Sequence, residues 1–243
     1  NGYLYGGLSR SVRTADATER YIASNGAMPS MRWVGNPDID PEKSHQLDIG
    51  VVLESEQWDL DAAIFYNDVD DYILRDRFHE PMNNATIYRN VAATLLGGEL
   101  NLAYRWSNNW SSIFGLAYVY AQNDTDDRAI AQIPPLEFIA TLDYVQGAWD
   151  LGGRVRGAAE QTRVDTDPLT GSGLDAQQTP AWAVLDLYGS YSINNNTTLR
   201  FGIDNVFDKS YAQHMNRSSA FDPLQIQVNE PGISAYVRLA AKF

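Results

Sequence analysis

Three close pairs of residues in this sequence carry atoms suited to a soft metal: Met28 and Met31 in "MPSM", His79 and Met82 in "HEPM", and the adjacent His214 and Met215. Thioether sulfur favours Cu(I), and imidazole binds copper readily. The chain has 4 Met and 3 His, so all of its methionines and two of its histidines fall in these pairs. The ordinary alternative is that a loop methionine anchors its segment on apolar surface. With no cysteine, thiolate sites and disulfides are excluded. Acidic stretches such as "NDTDD" and "DTDPLTGSGLD" lack the spaced ligand loop of a calcium site and read as solvated loops.

The elements that must position these pairs are strands. Apolar residues alternate with polar ones through most of the chain, and helical periodicity is nearly absent. Leu47, Ile49, Val51 and Leu53 oppose Gln46, Asp48 and Glu54; Leu60, Ala62, Ile64 and Tyr66 oppose Asp59, Asp61 and Asn67. The same pattern recurs at Leu100–Trp106, Trp110–Tyr120, Leu136–Tyr144, Trp149–Val155, Leu185–Ile193, Leu199–Ile203 and Ile233–Phe243. With an opening strand over 3–13 and a long one over 85–106, about ten strands are expected.

Their connections alternate in length. Tight turns fall at 55–57, 107–109, 147–148 and 194–196; long polar loops fall near 14–43, 73–84, 124–134, 164–180 and 212–231. Short turns at one end and long loops at the other are the asymmetry of an antiparallel transmembrane β-barrel. Trp58, Trp106, Trp110 and Trp149 sit beside the short turns on the apolar face, as an interfacial aromatic girdle would. No run approaches the length of an apolar membrane helix. The net charge of −13 opposes nucleic-acid binding. All three pairs then lie at the long-loop end.

Several segments carry a resemblance. "GNPDIDPEKSHQLDIGV" (35–51) holds an NP-x-x-x-PE-x-S pattern where a loop enters a strand. "YRNVAATLLGGELNLAY" (88–104) has an Asn-Val strand with a Gly-Glu step. "GIDNVFDKSY" (202–211) and the closing "YVRLAAKF", ending on Phe243, complete the set. In this order they resemble the TonB-dependent receptors of outer membranes. "SVRTADATERY" (11–21) and "YAQHMNRSSAFDPLQIQVNEPG" (211–232) are most similar to the family's copper-receptor branch.

The resemblance implies an all-β fold: about ten C-terminal strands of a larger plugged barrel of about 22 strands. Residues 1–243 would be that C-terminal part, with the plug domain and first strands absent and both sheet edges unpaired. It implies a transport receptor, not an enzyme, that needs no cofactor and takes a metal or metal chelate, copper foremost. Its partners would be outer-membrane lipid and, through the plug, the TonB complex. Three alternatives stay open. A ferric-siderophore receptor could use Tyr21, Trp33, Tyr72, Arg75 and Arg77 in the loops; a closed ten-stranded barrel could serve as an adhesin or as a surface protease.

Overall fold

The computed structural model describes residues 1–25, 32–80, 83–167, 171–216 and 227–242, apart from the side chains of 25, 78–80 and 83–84. Among them, Gly2–Arg13 (β1), Glu42–Glu54 (β4), Trp58–Glu80 (β5), Asn83–Arg105 (β6), Trp110–Asn123 (β7), Glu137–Gln146 (β9), Trp149–Ala158 (β10), Trp182–Asn194 (β11), Thr197–Asp204 (β12) and Ser234–Ala241 (β13) form the wall. Three short strands, Ala23–Asn25 (β2), Arg32–Val34 (β3) and Arg128–Ala129 (β8), and one helix, Ala17–Tyr21 (α1), lie in the long connections. The wall order is β1-β4-β5-β6-β7-β9-β10-β11-β12-β13, each neighbour antiparallel. β1 and β13 do not pair with each other, so the sheet is open rather than a closed ten-stranded barrel.

The registers put the apolar positions on one face. Leu4, Val51, Ala62, Leu100, Leu116 and Phe138 form one row across six strands, and Leu8, Leu47, Tyr66, Leu96 and Tyr120 form another. Several of these side chains are open to the surroundings, Leu47 at 41% and Tyr66 at 47% exposure, as is Ile64 between the two rows at 61%. A sheet face of this extent left bare in water would aggregate, whereas lipid solvates it. From Trp58 to Tyr66 β5 crosses about nine residues, the length a tilted strand needs to span a bilayer. Trp106 packs on Tyr104, Trp110 on Tyr144 and Trp149 on Tyr191, ring centroids 4.5–4.7 Å apart, all at the short-turn end. A depression of about 700 Å³ lined by Leu142, Leu151, Leu187, Phe201 and Val237 lies on this apolar side and is part of the lipid-facing surface.

The opposite face is charged. Asp186, with its carboxylate buried, accepts from Arg154 and Arg156 at 2.9–3.1 Å and from the backbone N–H of Asn205 at 2.9 Å. Arg105 pairs with Asp59 at 2.8 Å near the turns.

The segment 73–84 departs from the sequence expectation of a long loop. β5 and β6 continue through it as a hairpin of 23-residue strands. Between the pairs Val69↔Ala93 and Tyr72↔Val91, two residues of β5 face one of β6, which is a β-bulge. Asp71 takes φ 59° there. The extra residue flips the parity of β5, so Tyr72, Leu74 and Asp76 continue the inward face that Val69 occupies below. The alternation therefore breaks in the sequence where the strand does not. Residues 67–80 rise on the order of 45 Å along the strand beyond the apolar band.

Candidate functional site at the outer loops

The long connections gather over the wall's inner face at one end. A small apolar cluster of Val69, Ala93, Ala121 and Ile130, with Tyr72, Leu95 and Ile133 against it, seats the 124–136 loop there. Above it a chain of charges crosses several elements. Asp76 on β5 bonds Arg89 on β6 and Arg128 on β8; Asp126 bonds Arg89; Arg128 reaches Asp165 at 3.5 Å. Asp76 reaches this network only because the bulge turns it inward.

Asp165 and Asp175, read from sequence as solvated, are 4% and 5% exposed. Asp175 Oδ2 accepts from the N–H of Asp165 at 2.9 Å, its Oδ1 from the N–H of Gln132 at 2.9 Å, and Asp165 from the N–H of Ser172 at 2.7 Å. Each carboxylate thus closes a loop by capturing backbone donors. Burial pushes Asp165 above the usual carboxylate range, with the Ser172 bond and Arg128 opposing. At Asp175 burial also pushes upward, but bonding to His214, Asp165 and Gln132 outweighs it and holds the group below that range. Asp126 is likewise held low, against the cost of burial, by Arg89 and Asn123.

His214 and Met215 part company. His214 is buried: Nδ1 lies 2.8 Å from Thr179 Oγ1, and Nε2 lies 3.5 Å from Asp175 Oδ1. Gln227 Nε2 donates to the carbonyl of His214 at 2.9 Å and to Thr179 Oγ1 at 3.1 Å, and with the Thr179–His214 bond this fastens the 205–233 connection to the 159–181 connection. The Thr179 hydroxyl also lies 3.2 Å from Gln227 Oε1, so the imidazole is packed into a polar pocket shared by three side chains. Met215 next to it is 53% exposed. The two side chains do not converge. Met28, Met31, Met82 and the side chain of His79 lie outside the described residues; the backbone of His79 pairs with Asn84 near the hairpin end. Among the described residues, no three acidic or His side chains converge as a metal site.

The aromatic and basic candidates assemble in part. Arg75 lies over Trp33, its guanidinium carbon 4.8 Å from the ring centroid, and Trp33 stacks on Tyr88 at 6.3 Å. Tyr72 belongs to the apolar cluster instead, and Tyr21 is exposed on the helix. Tyr88 opens the "YRNVAATLLGGELNLAY" segment singled out in the sequence but is not among the ligand candidates there.

The "GIDNVFDKSY" motif has a local physical role. Asn205, 2% exposed with φ 50°, ends β12: its N–H donates to Asp186, its Oδ1 accepts from Lys209 N–H at 2.8 Å, and its Nδ2 donates to the carbonyls of Lys209 and Pro231. Asn tolerates the left-handed region and satisfies its own turn, which few other residues do. Asp208, at φ 52°, accepts from Ile233 N–H and ties the far end of the loop back. Tyr211 stacks on Trp182 at 4.2 Å. These contacts set the takeoff of the loop that carries His214.

Comparison with known proteins agrees with this architecture. The family profile described as TonB dependent receptor-like, beta-barrel, matches residues 1–206. The curated ferric enterobactin receptor PirA of Pseudomonas aeruginosa is 24% identical over 224 residues, covering 86% of this chain and 29% of its own length. Among solved structures, the copper transporter OprC superposes over 100% of this chain and 38% of its own with a TM-score of 0.88 and 33% identity. A mutant of the ferric enterobactin receptor PfeA from Pseudomonas aeruginosa gives 0.76 at 20% identity, with the same coverage, which is a likeness of fold. The chain spans well under half the length of each. With a profile matched across most of its residues, an open antiparallel wall with one lipid-facing side, and long loops at one end only, the chain belongs to the TonB-dependent receptor family of outer-membrane β-barrels.

Proposed function

We propose that this chain forms the second part of the barrel of an outer-membrane receptor that takes up copper. The observation that carries the copper reading is the likeness across the whole chain, at 33% identity, to a protein named as a copper transporter, against 20% for the ferric enterobactin receptor PfeA. In this reading the loops and a plug supplied by the rest of the receptor hold the ion. The TonB complex then draws the plug aside from the periplasmic side. No covalent step is involved, and the chain needs no cofactor; copper is cargo. Residues 1–243 contribute wall, lumenal charge and several outer loops.

Within that reading His214 serves the loop, and Met215 is the member of the pair placed to meet an arriving ion. Met28, Met31, His79 and Met82 stay candidates at the same end. A second reading, uptake of a ferric chelate, is favoured by Arg75 over Trp33 and Tyr88, a cationic and aromatic surface suited to an anionic aromatic ligand.

The test is metal binding by the intact receptor, together with the response of its gene. Binding of Cu(I) or Cu(II), with expression that follows copper, is the expected result. A receptor that binds neither ion, from a gene that answers to iron alone, would sink the copper reading. Met215→Ala is expected to weaken copper uptake by no more than about threefold, as one soft ligand among several. A loss well beyond tenfold would make Met215 a principal ligand.

A further inference from the structure

The outward face of the wall changes character in one step. The row Leu47, Tyr66, Leu96 and Tyr120 is apolar or aromatic; two residues outward the same strands present His45, Asp68, Thr94 and Gln122. Both rows are on the lipid-facing side, because parity is kept along each strand up to the bulge. One row further out on that side, a cavity of about 380 Å³ opens between Lys43, Asp70, Asp71, Asn90, Ala92 and Thr125. Asp70 stands four residues beyond Tyr66, which with strand tilt puts the cavity roughly 10 Å above the last apolar row. β4, β5 and β6 have their neighbouring strands in place, and the outward side is out of reach of anything that fills the barrel.

The walls of this cavity are held in place. Asn90 spends its whole amide on the frame: Oδ1 accepts from the N–H of Asp40 at 2.9 Å, and Nδ2 donates to the carbonyls of Asp40 at 3.1 Å and Asp71 at 2.7 Å. Thr125 Oγ1 accepts from the N–H of Ala92 at 2.8 Å and keeps its own hydrogen to donate. Lys43 Nζ is fixed by Asp71 at 2.7 Å and has two more N–H groups. Asp70, its register partner, adds an exposed carboxylate. Fixed donors and a carboxylate acceptor thus share one concave surface.

Charge narrows the ligand. The carboxylates of Asp40, Asp70 and Asp71 all act on Lys43, so three negative charges stand against one positive and a phosphate is repelled. A metal ion is disfavoured as well: Lys43 takes the Asp71 carboxylate, and among the described residues no three acidic or His side chains converge. An apolar group would strip these polar walls of water without replacing its hydrogen bonds. What remains is an uncharged ligand with several hydroxyls, which accept from Lys43 and Thr125 and donate to Asp70. We infer that this cavity binds a neutral sugar from the headgroup of an outer-leaflet glycolipid. The lipid source follows from position. The cavity continues the lipid-facing side outward, and the polar layer of a bilayer is only about 5–8 Å deep, so a lipid reaches this height with a headgroup that extends past its phosphate. The inference is independent of the cargo. Held there, the sugar ties the base of the projecting hairpin to the lipid layer around the barrel.

The experiment is native mass spectrometry of the intact receptor in mild detergent. It is titrated with lipopolysaccharide ending in neutral hexoses, with a truncated form lacking those hexoses, and with the free hexose oligosaccharide. Wild type is expected to prefer the hexose-bearing lipid over the truncated one by about tenfold, the range of a charge-assisted hydrogen bond. Asp70→Ala and Lys43→Gln should each reduce that preference to about twofold or less. Asp48→Asn, on the opposite face of β4, should leave it intact. Equal binding of the two lipids by wild type, or an unchanged preference in both cavity variants, would overturn the inference. So would a preference that vanishes in a chelator, which would make this a cation bridge to the lipid. Free oligosaccharide binding as tightly as the lipid would overturn the lipid source and make the ligand a soluble sugar.

Discussion

The wall and the loop layer follow opposite rules of burial. On the inner strands of the wall, Ile64 is 61% exposed and Leu142 48%, while among the described residues the most deeply buried side chains include Asp186, Asn123, Asn205 and Ser172. Lipid takes the part that a protein core plays in a soluble sandwich, so the apolar residues turn outward and the polar ones must satisfy each other inside. In the loop layer, with water above, buried carboxylates do the organising by capturing backbone N–H groups. Apolar contact secures the wall's position in the membrane; polar contact secures the loops on the wall.

The sharpest way to break this division is at Asp186, where wall and loop meet. Asp186→Ala leaves Arg154 and Arg156 without their carboxylate and Asn205 N–H without its acceptor. The expected loss is about 3 kcal/mol, measured by denaturant unfolding of the intact receptor in detergent. A loss under about 1 kcal/mol would mean that the lumenal arginines find other partners.

The next test contrasts the two faces of a single strand. Ile64→Lys puts a charge on the lipid face and should cost about 2–4 kcal/mol if the position is near mid-bilayer. Ala63→Lys, one residue along and facing the lumen beside Glu99, should change stability by under about 1 kcal/mol. Equal costs would contradict the assignment of faces.

The smallest expected effect is acid response of the loops. Asp175 and Asp126 are held below the carboxylate reference of 3.8, so their stabilisation is complete above that value and is lost as pH falls through their lower folded values. Asp165 is raised, so its burial penalty is relieved as pH falls toward 3.8. The 159–181 connection should therefore hold or tighten slightly from neutral pH to about 4 and loosen below it. Hydrogen exchange of that segment, corrected for intrinsic rates, would read this. Loosening well above pH 4 would go against the assigned directions.

Much of the wall was legible because period two is read directly off residues such as Leu47–Leu53 and Trp58–Tyr66, and because turns like "GA" and "NNN" need little else. The hairpin above the membrane was not, since the bulge at Asp70–Asp71 resets the alternation and makes a continuous strand look irregular. The loop network was illegible for a different reason. Asp165, Asp175 and His214 are far apart in sequence, and an aspartate that caps backbone donors looks the same in a list of residues as one in water. The spacing of His214 and Met215 correctly places them in one outer loop; it carries no information about their side chains turning apart.

The bulge between Val69 and Tyr72 has one more consequence. Everything on β5 beyond it is in the opposite phase to everything below, while β6 keeps one phase throughout. Deleting a single residue at Asp70–Asp71 would not simply shorten the hairpin. It would rotate the upper strand by half a turn, turning Asp76 away from Arg89 and Arg128 and so taking the anion out of the centre of the charge network, while parting Arg75 from Trp33 and Arg77 from the 159–181 connection at Gly173. Paired changes of two residues would leave that centre untouched and only alter the hairpin's height. The projecting part can therefore vary freely in length in even steps, and odd steps rewrite the surface on which the loops sit.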